Sequence, residues 1–250
     1  MPVYYGTQKV KPSGISTVYC GTQKVYSKKA SRLPAEYQEV EYIYKLYDGG
    51  ATHPYINSGV NGQYALITEY EAMIKDYVIP DTGSGGGAAI FGSRVGFTDR
   101  AYQATPRYAD ASNASPNAPG MYYDARFGNQ GYNYGSRLTA FQVDVKHKVK
   151  FGNDELYVND VLKQSFGASS FTSTVKVYIF AANANGAVGF DDTNAEGRLY
   201  WMTMSQGSTL LRNFVPCYRK SDSKAGLYDL VNNQFYYNQG TGSLYAGPDV

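Results

Sequence analysis

Apolar and polar positions alternate with a period of two along much of the chain, and helical spacing is hard to find. In "FQVDVKHKVKF", Phe141, Val143, Val145, Val149 and Phe151 share one face with His147. Gln142, Asp144, Lys146, Lys148 and Lys150 take the other, which predicts one strand over residues 141–151 with one wet face. The polar "GNDE" that follows predicts a hairpin into "LYVNDVLKQSF". "TVKVYIFAANANGAVGF" and "GRLYWMTMS" are apolar on both faces and predict central strands. "GLYDLVNNQFYYNQG" predicts a hairpin turning at Asn232-Asn233, because Asn tolerates left-handed dihedrals. Val40, Tyr42, Tyr44 and Leu46 alternate with Glu39, Glu41, Ile43 and Lys45, again as a strand. Many strands separated by Gly and Asn turns, without helical spacers, predict an all-β sandwich or jelly roll.

The opening of the chain repeats itself. "VYYGTQKV" (residues 3–10) returns as "VYCGTQKV" (residues 18–25), with Tyr5 replaced by Cys20. Each copy places Gly-Thr between two short arms, with Gly at the first central position that a type II′ turn prefers. Each therefore predicts a hairpin too small to be stable alone, with open strand edges that another sheet could complete. Residues 1–33 hold six cations and no acid, and acids first appear in "LPAEYQEVEYI". The expected division is a basic N-terminal docking segment, residues 1–32, and one domain, residues 33–250. Val3, Tyr4, Tyr5, Val10, Val18, Tyr19, Val25 and Tyr26 are the expected docking contacts.

Composition supports the β reading. Of 250 residues, 26 are Tyr and 27 are Gly, and only 18% are charged, so the surface is polar mainly through uncharged side chains. Net charge is +2, and the chain beyond the basic head is net acidic, which opposes nucleic acid as a partner. No apolar run approaches the roughly 20 residues of a membrane-spanning helix, and no signal-peptide pattern is present. The expectation is therefore a protein made in the cytoplasm, with no membrane partner. Cys20 and Cys217 are expected as two free thiols.

Candidate chemistry is sparse. The Gly-rich "DTGSGGGAAIFGSR" lacks the Lys of a phosphate loop and is expected as a flexible connection. "GFDDTNAEG" gathers Asp191, Asp192, Asn194 and Glu196 without the spacing of a calcium loop, so it is expected as a solvated turn, and no cofactor or metal is implied. Glu69 and Glu71 share one strand face, the nearest match to a carboxylate pair for glycoside cleavage, but no catalytic set is complete and no enzyme is expected. The best candidate ligand surface is "GMYYDARFGNQGYNYGSR". Tyr122, Tyr132 and Tyr134 offer ring faces to sugar C–H groups, while Asp124, Arg126 and Asn129 offer directional hydrogen bonds to hydroxyls.

Two stretches carry a family resemblance. "HKVKFGNDELYVNDVLKQ" resembles a segment of concanavalin A-like and laminin-G-like jelly rolls. "LPAEYQEVEYI" together with "LLRNFVPCYRKSDSKAGLYDLVNNQFYYNQGTGSLYAGP" resembles jelly-roll domains in structural proteins of phages and prophages of gut Gram-positive bacteria. The resemblance implies an all-β, two-sheet antiparallel jelly-roll sandwich of the concanavalin A-like class. It also implies a virion location: a tail or head fibre or other appendage that binds host-surface or environmental glycans, with other virion proteins as partners through residues 1–32. Such appendages are expected to be homo-oligomers, a trimer among the options. The alternatives are a glycan-degrading enzyme on the same fold and a secreted bacterial lectin.

Overall fold

The computed structural model describes residues 3–5, 8–10, 17–20, 23–27, 32–78, 87–96, 99–109, 120–130 and 142–250. The chain separates into two units, Met1–Pro34 and Ala35–Val250. The first contains strands β1 (Val3–Tyr5), β2 (Gln8–Val10), β3 (Thr17–Cys20) and β4 (Gln23–Ser27). β1 pairs with β2, Tyr5 opposite Gln8, and β3 pairs with β4, Cys20 opposite Gln23. Each repeat copy is thus an antiparallel pair of short strands, and the Gly-Thr expected at each turn lies outside the described residues. The second copy slips register between Val18 and Tyr19.

The second unit holds β5 (Tyr37–Glu39), β6 (Ile43–Asp48), β7 (Ile56–Asn61), β8 (Leu66–Lys75), β9 (Phe91–Arg94), β10 (Ala101–Ala109), β11 (Gly120–Gly128), β12 (His147–Gly152), β13 (Glu155–Val158) and β14 (Val161–Ser165). It continues with β15 (Lys176–Ile179), β16 (Ala182–Ala184), β17 (Ala187–Gly189), β18 (Asn194–Gln206), β19 (Thr209–Arg219), β20 (Lys224–Asp229), β21 (Gln234–Tyr237) and β22 (Tyr245–Ala246). Among the described residues these form two sheets and no helix. The large sheet runs β14-β13-β12-β8-β18-β19-β20-β21, with β5 on β19 and β6 between β18 and β22. The small sheet runs β11-β10-β9-β15-β7, with the β16–β17 hairpin joined to β9. The expected all-β, two-sheet jelly-roll sandwich is borne out. Among the described residues its antiparallel character has one departure, the parallel pairing of β16 with β9.

The core lies between the sheets. β8 alternates strictly, burying Leu66, Thr68, Tyr70, Ala72 and Ile74. Across the gap, Phe91 of the small sheet packs on Tyr70 and Phe151 of the large sheet, with ring centroids 5.4 and 5.7 Å apart. Tyr102 pins the layers together, since its buried hydroxyl lies 2.9 Å from the Phe151 carbonyl oxygen, 3.1 Å from that of Leu66 and 3.0 Å from Thr68 Oγ1. The outermost pairing joins the beginning and end of this unit. β22 pairs with β6, the Glu41 amide donates to the Pro248 carbonyl, and Val40 bridges Asp249.

Turn chemistry accounts for most departures from the sequence reading. The hairpins at Asn153-Asp154 and Asn232-Asn233 are present, with Asn153, Asp154 and Asn233 at positive φ. A further turn at Asn159-Asp160, both at positive φ, cuts "LYVNDVLKQSF" into two strands. "TVKVYIFAANANGAVGF" is likewise three short strands, because Phe180 and Asn185 take positive φ. The strand expected over 141–151 starts only at His147; Asp144 is left-handed, and its amide donates to the Ile74 carbonyl. Around residue 40 the inward set is Ile43, Lys45 and Tyr47, not Tyr44 and Leu46. The expected alternation breaks between β5 and β6, and a lysine occupies an inward position. The Gly-rich stretch, expected as a connection throughout, ends in β9, a central strand of the small sheet.

Candidate functional site

β10 and β11 pair in unbroken register, so their outward positions align across the ladder. Tyr102, Ala104, Tyr123, Ala125 and Phe127 enter the core. The alternate residues share the opposite face of the small sheet: Gln103 beside Arg126, Thr105 beside Asp124, and Arg107 beside Tyr122. Period two alone brings Tyr122, Asp124 and Arg126 together, as the sequence predicts. Asn129 lies beyond the end of β11, exposed, and outside this row. Tyr132 and Tyr134 lie outside the described residues.

Asp124 is the centre of the row. Its carboxylate has no exposed surface and accepts from Arg107 Nη1 at 3.0 Å and from Arg126 Nε at 3.2 Å. Burial works against the Arg107 cation, but Asp124, Tyr122 and Asp192 together outweigh it and raise the Arg107 pKa. Arg94 of β9 and Arg107 both lie over the ring of Phe190, at 4.6 and 5.7 Å from its centroid. Burial and the neighbouring Arg126 lower the Arg94 pKa. The backbone is bare where the strands crowd: a Cβ on Gly92 would meet Gln103 Cβ at 2.9 Å and Ala182 Cβ at 3.0 Å.

Two members of the row are polar, buried and unbonded. Gln103 has no exposed surface, and neither Oε1 nor Nε2 has a hydrogen-bond partner among the described residues. Thr105 Oγ1 is also buried without a partner among the described residues. An amide that offers both a donor and an acceptor, a hydroxyl, and a carboxylate fixed by two guanidiniums form a set of directional groups along one face. Sequence reading misses Gln103, Thr105 and Arg107. The alternation in "YQATPRY" is the signal that carries them.

The acidic stretch expected as a solvated turn is so at Asp192 and Asn194, which are exposed, and departs from it at Asp191, which is buried. Asp191 Oδ2 accepts from the fully buried Lys45 Nζ at 3.1 Å, and His53 Nδ1 lies 2.8 Å from the same oxygen. Asp192 accepts from the Gly87 amide at 2.7 Å. Among the described residues no cluster of three or more His, Cys, Asp or Glu side chains is arranged to hold a metal ion.

Glu69 and Glu71 share the outer face of β8, as expected. Glu69 lines a shallow depression of about 220 Å³ with Lys148, Lys150, Tyr157 and Asp160. Asp160 is held by Lys148 Nζ at 2.7 Å, and Glu71 lies 3.8 Å from Lys146 Nζ. Both neighbourhoods are lysine-rich ion-pair networks on the large sheet, remote in the fold from the Asp124 row.

No family model matches the chain, and no curated protein matches it. Among solved structures, the Emp47p carbohydrate recognition domain is similar at 10% sequence identity and a TM-score of 0.35, covering 71% of this chain and 91% of that one.

Proposed function

We propose that the sandwich is a non-enzymatic glycan-binding domain and that the outer row of β10 and β11 is the buried floor of its recognition site, reached past Arg107, which keeps an exposed fringe. The observation that carries this is the buried, unbonded amide of Gln103 beside the unbonded Thr105 hydroxyl and the clamped Asp124 carboxylate. A polar group buried without a partner is destabilising. A saccharide hydroxyl is both donor and acceptor and satisfies an amide, a hydroxyl and a carboxylate alike. Phe190 and the exposed fringe of Arg107 supply an aromatic and cationic border, the usual company of a specific ligand site.

In the fuller form of this reading the chain is a virion appendage protein, and the tandem hairpins of β1–β4 dock it by strand addition to another virion protein. Support comes from the two paired repeat copies, each short and edge-rich, ahead of a separate folded unit.

A glycan array probed with the full chain tests recognition. Binding is expected, and Asp124→Asn is expected to weaken it at least tenfold. Absence of binding to any bacterial surface glycan, or binding unaffected by Asp124→Asn and Gln103→Met together, overturns the site. For docking, particles assembled with a chain lacking residues 1–32 are expected to omit it, and normal incorporation refutes that role.

A further inference from the structure

Lys45 has no exposed surface, although its side chain carries a primary amine. It rises from β6 into a site closed by residues distant in sequence. Its Nζ donates to Asp191 Oδ2 at 3.1 Å and to the Phe180 carbonyl at 3.0 Å. Tyr47 lies alongside, its ring centroid 4.7 Å from Nζ and its hydroxyl committed to the Ala89 carbonyl. Phe180 stands at φ +65°, an unfavourable backbone for a bulky residue, between β15 and β16. The Phe180 and Asp191 contacts hold two of the amine's directions. The Asp191 side chain is 4% exposed, whereas His53, whose Nδ1 lies 2.8 Å from Asp191 Oδ2, is 43% exposed. The pair is therefore dry, and one imidazole links it to solvent.

An ammonium and a carboxylate held in such a site lose their hydration, and their attraction offsets that loss only in part. Burial lowers the Lys45 pKa, with Asp191 opposing the shift. Transfer of one proton from Nζ to the carboxylate leaves a neutral amine beside a neutral carboxylic acid, a nucleophile and its electrophile already in contact.

We propose that Lys45 and Asp191 are joined by an intramolecular isopeptide bond, with His53 as the proton carrier. The Nζ lone pair attacks Asp191 Cγ, giving a tetrahedral adduct. Nζ loses one proton to the imidazole system, and His53 delivers one proton to Oδ2. The Cγ–Oδ2 bond then breaks and Oδ2 departs as water. The Nζ–Cγ amide remains, His53 regains its starting state, and no oxidant or other reagent is consumed. The amide keeps one N–H, which donates to the Phe180 carbonyl that already accepts from Nζ. Expulsion of the single water into solvent past the half-exposed His53 drives the step, and the dry site resists hydrolysis of the product.

Intact mass of the denatured full chain decides between this bond and an ion pair made by the same atoms. The expected mass is one water below that of the sequence, and proteolysis is expected to release a branched peptide joining the segments around Lys45 and Asp191. Lys45→Met and Asp191→Ala chains are expected at their full sequence masses. His53→Ala is expected to slow formation about 100-fold, the scale of a lost general acid–base; an unchanged rate removes His53 from the mechanism. A wild-type chain that keeps its full mass after prolonged incubation at neutral pH, or a branched peptide that maps to other residues, overturns the proposal. The wild-type mass is decisive by itself, so a variant that fails to fold does not obscure the outcome.

Discussion

Replacing Gln103 with Met should make the protein more stable and a poorer binder at once. Gln103 is fully buried, and both ends of its amide lack a hydrogen-bond partner among the described residues. Each such atom forfeits its hydration without compensation, at a cost of about 1–3 kcal/mol. Met has nearly the same length, is unbranched and adapts to irregular spaces, so the substitution removes the polar penalty without opening a large cavity. Allowing for imperfect packing of the new side chain, the expected gain is about 2 kcal/mol. At roughly 2–4 °C per kcal/mol for a domain of this size, Tm should rise by about 4–8 °C. Urea unfolding followed by Trp201, the chain's only tryptophan, supplies the matching free energy, with m expected to be unchanged. Glycan retention by the same preparation should fall by about tenfold or more, because the amide's bonds to the ligand are lost. The opposite result is informative. A Met variant less stable than its parent means that the folded protein already satisfies the Gln103 amide, and the physical basis of the recognition site is gone.

Other outcomes follow from the core. Tyr102→Phe should cost about 1–2 kcal/mol, because the hydroxyl that ties β10 to the β8 and β12 backbones is lost; equal stability in denaturant would show that those carbonyls need no cross-sheet partner. His147 is held below its ordinary pKa chiefly by burial, opposed by its contact with the Gln142 backbone. The unfolded chain therefore binds the extra proton first as pH drops through about 6.5, so stability should be complete above that pH and decline below it. His147→Gln should flatten that slope, and an unaltered profile would assign it to other groups. Burial pushes the Cys217 thiol up to about 12. In a Cys20→Ser background it should resist disulfide reagents at pH 8 until denaturant is added, and prompt labelling of the folded chain would contradict its placement.

What the sequence makes legible is local. Tyr122, Asp124 and Arg126 are two apart, so strand periodicity alone places them on one face. Their neighbours Gln103, Thr105 and Arg107 belong to another strand, and register between strands is set by the long-range ladder. Asn-Asp and Asn-Asn pairs announce turns, and the Gly-Thr pairs of the repeat announce hairpins. Phe180, by contrast, breaks a strand with a residue that favours strands, because the Ile90 and Lys45 contacts hold its backbone there. Lys45 and Asp191 escape a sequence reading for one common reason. Charge in a sequence reads as surface, and only the partner across 146 residues makes burial possible.

The meeting of β22 with β6 has a mechanical consequence. Near Val40 and Asp249 the first and last segments of the sandwich run antiparallel, so both leave it at the same edge. A tether drawn through residues 35 and 250 would load the short β5–β19 ladder and then that seam as a zipper, with the Val40–Asp249 bridge, the Glu41–Pro248 and Tyr42–Gly247 bonds and the β22 ladder yielding in succession. Peeling of this kind needs less force than shearing a whole ladder. The sandwich is therefore suited to hang beside a load-bearing line, and poorly suited to be a link within it.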